Sequence, residues 1–130
     1  MDQTYKHADL THSVIGASME VHGYLGNGFQ ELIYQRSLAI ELGLRKLAFT
    51  REQEMKVLYK EFEVGTRRVD FFVEGKIIVE LKAIIQLEDV HLAQALNYLE
   101  AYNIETGLLI NFGARSLQYK RLLNKKYKPG

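Results

Sequence analysis

Three side chains in this sequence could do chemistry together: Asp70, Glu80 and Lys82, spaced D-x9-E-x-K. Two neighbouring carboxylates offer the hard oxygen donors that Mg²⁺ or Mn²⁺ takes, and Mg²⁺ is commonly held by one or two carboxylates, waters and a phosphate. Such an ion polarises a phosphoryl oxygen and lowers the pKa of a bound water. A lysine beside it can orient that water or stabilise charge developing on the phosphate. Without an ion, two close carboxylates repel and one is pushed up in pKa. The same spacing also describes a half-exposed hairpin with a Glu–Lys surface pair.

The elements that must position these residues are two strands. Arg68–Val73 runs into Glu74-Gly75, and Lys76–Lys82 returns, which reads as a β-hairpin. Strand side chains alternate between faces. Val69, Phe71 and Val73 form one apolar set, matched by Ile77, Val79 and Leu81 on the return. For both sets to share a core face, paired residue numbers must sum to an even value. A two-residue Glu74-Gly75 loop gives an odd sum; a three-residue loop with Gly75 left-handed gives an even one. The even register predicts that Asp70, Glu80 and Lys82 project from one face.

Helical spacing of Leu10, Val14, Ala17, Val21 and Leu25 predicts a first helix over about 9–25, stopped by Gly26-Asn27-Gly28. A second helix is expected from Phe29 to Leu42, with Phe29, Ile33 and Ile40 on one side and Gly43 as its stop. Strands are expected between Ala48 and Lys82. A third helix follows from Asp89 to Tyr102, with Asp89 as N-cap. Leu108–Phe112 is a short buried strand. Leu117–Leu122 is either another strand or the start of a basic tail. The order α-α-β-β-β-α-β-β implies an α/β fold, a mixed sheet covered by helices.

Composition narrows the chemistry. The 130 residues, 47% hydrophobic and 25% charged, suit one domain, expected over 1–123 with a basic tail at 124–130. With no cysteine, thiol catalysis, thiolate-bound zinc and disulfides are excluded, and a cytoplasmic location is expected. No apolar run suits a membrane span, and residues 1–20 lack a signal-peptide pattern. P-loop and Rossmann fingerprints are missing, as is a persuasive Ser-His-Asp arrangement. The net charge of +1 hides a split: residues 1–105 hold eleven Lys/Arg against sixteen Asp/Glu, whereas residues 106–130 hold six basic residues and no acid. Those six (Arg115, Lys120, Arg121, Lys125, Lys126, Lys128) could neutralise backbone phosphates, with Tyr119 and Tyr127 free to stack on bases. A solvated terminus accounts for them equally.

Asp70 with Glu80-Leu81-Lys82 resembles the core of the PD-(D/E)XK nuclease superfamily. Gly28-Phe29-Gln30-Glu31-Leu32-Ile33-Tyr34 resembles the signature of its small GxxExxY family. Val21-His22, Val79–Ala83, the helix residues His91, Gln94, Asn97, Tyr98 and Leu99, and Leu108–Gly113 extend the likeness over about residues 10–122. Asn27 stands where members often have proline, and Val69 replaces the literal proline before Asp70. The resemblance implies a restriction-endonuclease-like core and a nuclease acting on nucleic acid. Asp70 and Glu80 would be metal ligands and Lys82 the catalytic lysine. Glu31 would be an additional acid reaching the metal, and Gln94 and Tyr98 would resemble the Q-x-x-x-Y motif of RecB-like exonucleases. Related nucleases often pair subunits, so a homodimer is compatible. The alternative is a non-catalytic nucleic-acid-binding or protein-interaction module on the same fold.

Overall fold

A computed structural model describes residues 7–130. The elements are α1 (Ala8–Leu25), α2 (Glu31–Leu44), β1 (Phe49–Tyr59), β2 (Phe62–Val73), β3 (Ile77–Lys82), α3 (Asp89–Tyr102), β4 (Thr106–Asn111) and β5 (Gln118–Leu123). The order matches the expected α-α-β-β-β-α-β-β. The five strands form one sheet in sequence order, parallel only between β3 and β4. That parallel pair requires a crossover, which α3 supplies.

The sheet separates two cores. On one face Val14, Ala17 and Val21 of α1 and Tyr34, Leu38 and Leu42 of α2 pack on Phe71, Val73, Ile77, Val79, Leu81, Leu108 and Ile110. On the other, Ala95 and Leu99 of α3 pack on Val69, Ile78, Leu109 and Leu122. Gly107 is needed here: a Cβ would lie 3.0 Å from both the Ile78 carbonyl oxygen and a Leu99 methyl.

The hairpin adopts the even register, Phe71↔Val79 and Val73↔Ile77. Gly75 is left-handed as expected, and so is Glu74. Ala48 holds Glu74 from both sides: its carbonyl accepts the Glu74 N–H at 2.8 Å, and its N–H donates to the Glu74 carboxylate at 2.6 Å. Val69 departs from the expected face and joins the α3-side core. The alternation of β2 breaks at Asp70, since Phe71 stays with the first core. Glu52, opposite Asp70, has φ 51°, and the β1–β2 pairing skips that position.

Other expectations need correction. α2 begins at Glu31, not Phe29, and buries Tyr34, Gln35, Leu38 and Leu42. Phe29 and Ile40 are 50% and 67% exposed, because the sheet-facing stripe runs through Tyr34 instead. Gly43 lies inside α2. The helix stops at left-handed Lys46, where Leu47 N–H reaches the Leu42 carbonyl at 3.0 Å, a Schellman closure. Glu88, not Asp89, caps α3; its N–H donates to His91 Nδ1 at 3.0 Å.

The basic C-terminal segment is neither free nor beside Lys82. Buried Asn124 donates to the carbonyls of Leu99 and Ile104 at 3.1 Å each. Asn103 clasps the Lys128 backbone in two hydrogen bonds of 2.8 and 2.9 Å. Register shows where this segment lies. Lys82 pairs with Asn111 and Asn111 with Gln118, whereas Leu123 pairs with Thr106 at the opposite end of the sheet. Lys125, Lys126 and Lys128 therefore leave from the end remote from Lys82.

Candidate active site

β2 and β3 part company at Asp70 and Glu80. Their ladder ends at Phe71↔Val79, and carboxylates take over from backbone carbonyls. Asp70 N–H donates to Glu80 Oε2 at 2.8 Å, and Leu81 N–H donates to Asp70 Oδ2 at 2.8 Å. Gln35 Nε2 donates to Asp70 Oδ1 at 3.0 Å. Arg67 donates to Glu80 Oε1 at 3.0 Å. Each of the four carboxylate oxygens thus accepts one bond and keeps one lone-pair direction.

Burial and mutual repulsion govern the acids. Burial, then the charge of Asp70, pushes Glu80 up to about 7, against the opposing pull of the Asp70 N–H, Arg67 and Lys82. Burial raises Asp70 too, opposed by the hydrogen bonds from Leu81 and Gln35 and by Arg67 and Lys82. Glu31, at the exposed start of α2, is raised by partial desolvation and by Asp70, with Lys82 and Arg67 pulling the other way. Asp70, Glu80, Lys82, Arg67 and Glu31 are therefore one electrostatic unit.

The expected site residues are placed unequally. Asp70 and Glu80 are adjacent. Lys82 is within their field, yet forms no ion pair among the described residues. Glu31 does not close a cage with the other two acids: among the described residues no three His, Cys, Asp or Glu gather closely enough to hold an ion. Tyr98 lies under the Arg67 guanidinium, 4.7 Å from its ring centre, and stacks on Tyr102. Gln94 is exposed one turn earlier on α3. It takes no part in the network.

Four residues escaped sequence reasoning. Arg67 and Gln35 hold the two acids. Arg51 donates to Gln35 Oε1 at 2.9 Å and so fixes which end of that amide faces Asp70. Tyr102, whose hydroxyl is buried with no hydrogen bond among the described residues, lies in the field of Arg67 and Glu80. Gln35 alone had a signal: it follows Glu31 by four residues, on the same side of α2.

The remaining motif residues build the frame. Tyr34 is fully buried, donates to the Gly26 carbonyl at 2.6 Å, accepts from Phe29 N–H at 3.1 Å and stacks on Phe112. His22 Nε2 meets the Ala114 carbonyl at 2.9 Å. Buried Asn111 clamps the turn after Lys82: Oδ1 accepts from Ile84 and Gly113 N–H, and Nδ2 donates to the Ile84 carbonyl and Gln118.

A family model for the PD-(D/E)XK nuclease superfamily matches residues 8–122. The chain belongs to that superfamily. Its fold is similar to a solved structure titled "Crystal structure of SSO0001", with a TM-score of 0.57 at 15% identity, covering 88% of this chain. The chain spans 61% of the length of that structure. No curated protein matches significantly. The restriction-endonuclease-like architecture, a five-stranded mixed sheet flanked by helices, is thus established for this superfamily member. Among the described residues no helix is long and apolar enough to cross a membrane.

Proposed function

We propose that this superfamily member is a metal-dependent phosphodiesterase acting on nucleic acid, within the GxxExxY group. The observation that carries the reading is the Asp70–Glu80 pair, held side by side with one lone-pair direction left on each oxygen. The donor set suits Mg²⁺ or Mn²⁺: hard oxygens from two protein carboxylates, the number such an ion commonly takes beside waters and a phosphate. The raised pKa of Glu80 fits as well, because negative charge crowded out of water is what a cation relieves. A bound ion would polarise the phosphoryl oxygen and acidify water.

The chain's own residues divide the remaining work. Asp70 and Glu80 would hold the ion. Lys82 orients the attacking water and offsets charge on the phosphate. Glu31 would add negative charge near the ion, being coupled to Asp70. Tyr98 fixes Arg67, and Gln94, exposed one turn earlier on α3, would contact substrate. Gly28, Glu31 and Tyr34 support the group assignment, with Tyr34 pinning the glycine elbow that launches α2.

The test is cleavage of DNA and of RNA with Mg²⁺ or Mn²⁺, comparing the chain with Asp70→Asn and Lys82→Ala. Turnover that needs the ion and is lost in both variants supports the reading. Equal activity in all three rejects it. Ion-independent, salt-sensitive binding without turnover would favour a binding module instead. Sedimentation with and without nucleic acid tests whether two copies pair.

A further inference from the structure

We infer that Arg67 is the resident counter-cation of the acid pair, and that a divalent ion displaces it from Glu80 in order to bind. This rests on the metal-site reading of Asp70 and Glu80. The guanidinium is anchored three ways. One nitrogen donates to Glu80 Oε1 at 3.0 Å, another to the Arg68 carbonyl at 2.9 Å, and its face covers the Tyr98 ring at 4.7 Å.

Its position is built, not incidental. Arg67 precedes Asp70 by three, and in a regular strand the two would face opposite sides. The alternation breaks at Asp70, with Val69 in the α3-side core, Phe71 in the other and left-handed Glu52 opposite, so that Arg67 and the Asp70 N–H both reach the Glu80 carboxylate. Lys82, the cation the sequence motif supplies, makes no ion pair among the described residues, so Arg67 is the group that meets the Glu80 charge directly.

A divalent ion on the free lone pairs of Asp70 and Glu80 would sit beside that guanidinium. Like charges at such range repel, the more so beside a Glu80 side chain only 6% exposed. The contact to Glu80 is the one that must yield, because the ring and the Arg68 carbonyl do not compete with the ion. A displaced Arg67 keeps both of those anchors and turns its fork of donors to solvent, where a phosphate fits it. Ion and substrate then favour each other: phosphate gives the displaced guanidinium a partner, and linkage makes the gain mutual.

The test is calorimetric titration of the purified chain with Mn²⁺ alone at pH 8, for wild type, Arg67→Met and Arg67→Lys. Arg67→Met keeps the apolar stem and removes the charge, and should bind Mn²⁺ about tenfold more tightly. Arg67→Lys, which keeps the charge, should stay within about threefold of wild type. Asp70→Asn should abolish the heat and so locate the ion. A folded Arg67→Met that binds Mn²⁺ no more tightly than wild type overturns the inference: Arg67 would then build the ion site instead of competing for it. Absence of Mn²⁺ binding in wild type and Arg67→Met alike would overturn the metal reading itself.

Discussion

Asp70 and Glu80 do not bind each other; each carboxylate binds the strand of the other. Glu80 takes the Asp70 N–H, and Asp70 takes the N–H of Leu81, both at 2.8 Å. This exchange ends the β2–β3 ladder without leaving buried donors unsatisfied. It also holds two like charges together at a cost that burial increases. The fold thus stores an electrostatic tension where the strands separate, and four predictions follow from how that tension and its supports are arranged.

Lys82 is within the field of both acids but pairs with neither. Its replacement by Met should therefore leave Mn²⁺ binding unchanged or tighter, while lowering the turnover rate by about 10²–10³-fold, the usual cost of removing a preorganised electrostatic group. Measuring ion affinity and single-turnover cleavage on the same preparation separates the two effects. Parallel loss of both would make Lys82 a structural support.

Stability should fall as pH rises from about 4.5 to about 7, the ordinary and raised values for Glu80. In that window the folded state holds a proton on Glu80 that the unfolded chain has released, so folding becomes less favourable with increasing pH. The full effect is of order 3 kcal/mol. Asp70 and Glu31, also raised, act in the same direction. Urea melts across pH 4–8 would show the decline, and Glu80→Gln should flatten it. Mg²⁺ should stabilise more at pH 8 than at pH 5, because it binds the ionised pair. A profile that rises over this window would contradict the assignment.

The hairpin register was legible from parity alone, because Val69–Val73 and Ile77–Leu81 allow few loops that bury both sets. The adjacency of Asp70 and Glu80 came with it, although the ladder itself ends at Phe71↔Val79. Arg67 was illegible for the converse reason: strict alternation sends it away from Asp70, and the alternation breaks between Val69 and Phe71. The same break leaves Val69 in the other core. Helix α2 misled because Phe29 and Ile40 are apolar yet exposed, while buried Gln35 earns its place through Asp70 and Arg51. The basic tail over 124–130 could be read as charge but not as location, since the β4–β5 register sends it to the far end of the sheet.

Asn111 and Gly113 should prove as sensitive as the acids. A Cβ on Gly113 would clash with the backbone N and O of Ile84 and with the Ala83 carbonyl carbon, contacts no rotamer can relieve. Gly113→Ala should cost about 2–3 kcal/mol in denaturant melts by forcing that turn outward. Asn111→Ala leaves the Ile84 N–H and carbonyl without partners and should cost about 2–3 kcal/mol. Because this turn directly follows Lys82, folded material of either variant should also lose turnover while retaining Mn²⁺ binding. Full turnover in a destabilised variant would uncouple the turn from the lysine.

Gln35 acts on Asp70 through a defined amide orientation. Arg51 has only donors, so it faces Oε1, and Nε2 is left for Asp70 Oδ1. Gln35→Ala removes a donor from a carboxylate that burial already disfavours, and should destabilise by about 1–3 kcal/mol. Arg51→Ala should cost less than about 1 kcal/mol, since its side chain is on an exposed residue. The two losses should not add: without Gln35, Arg51 has nothing to orient. A double-mutant cycle with Asp70→Ala completes the argument. Coupling of Gln35 to Asp70 that shrinks when Arg51 is removed would establish the chain Arg51–Gln35–Asp70 as the support of one carboxylate; three additive effects would reduce it to adjacent contacts.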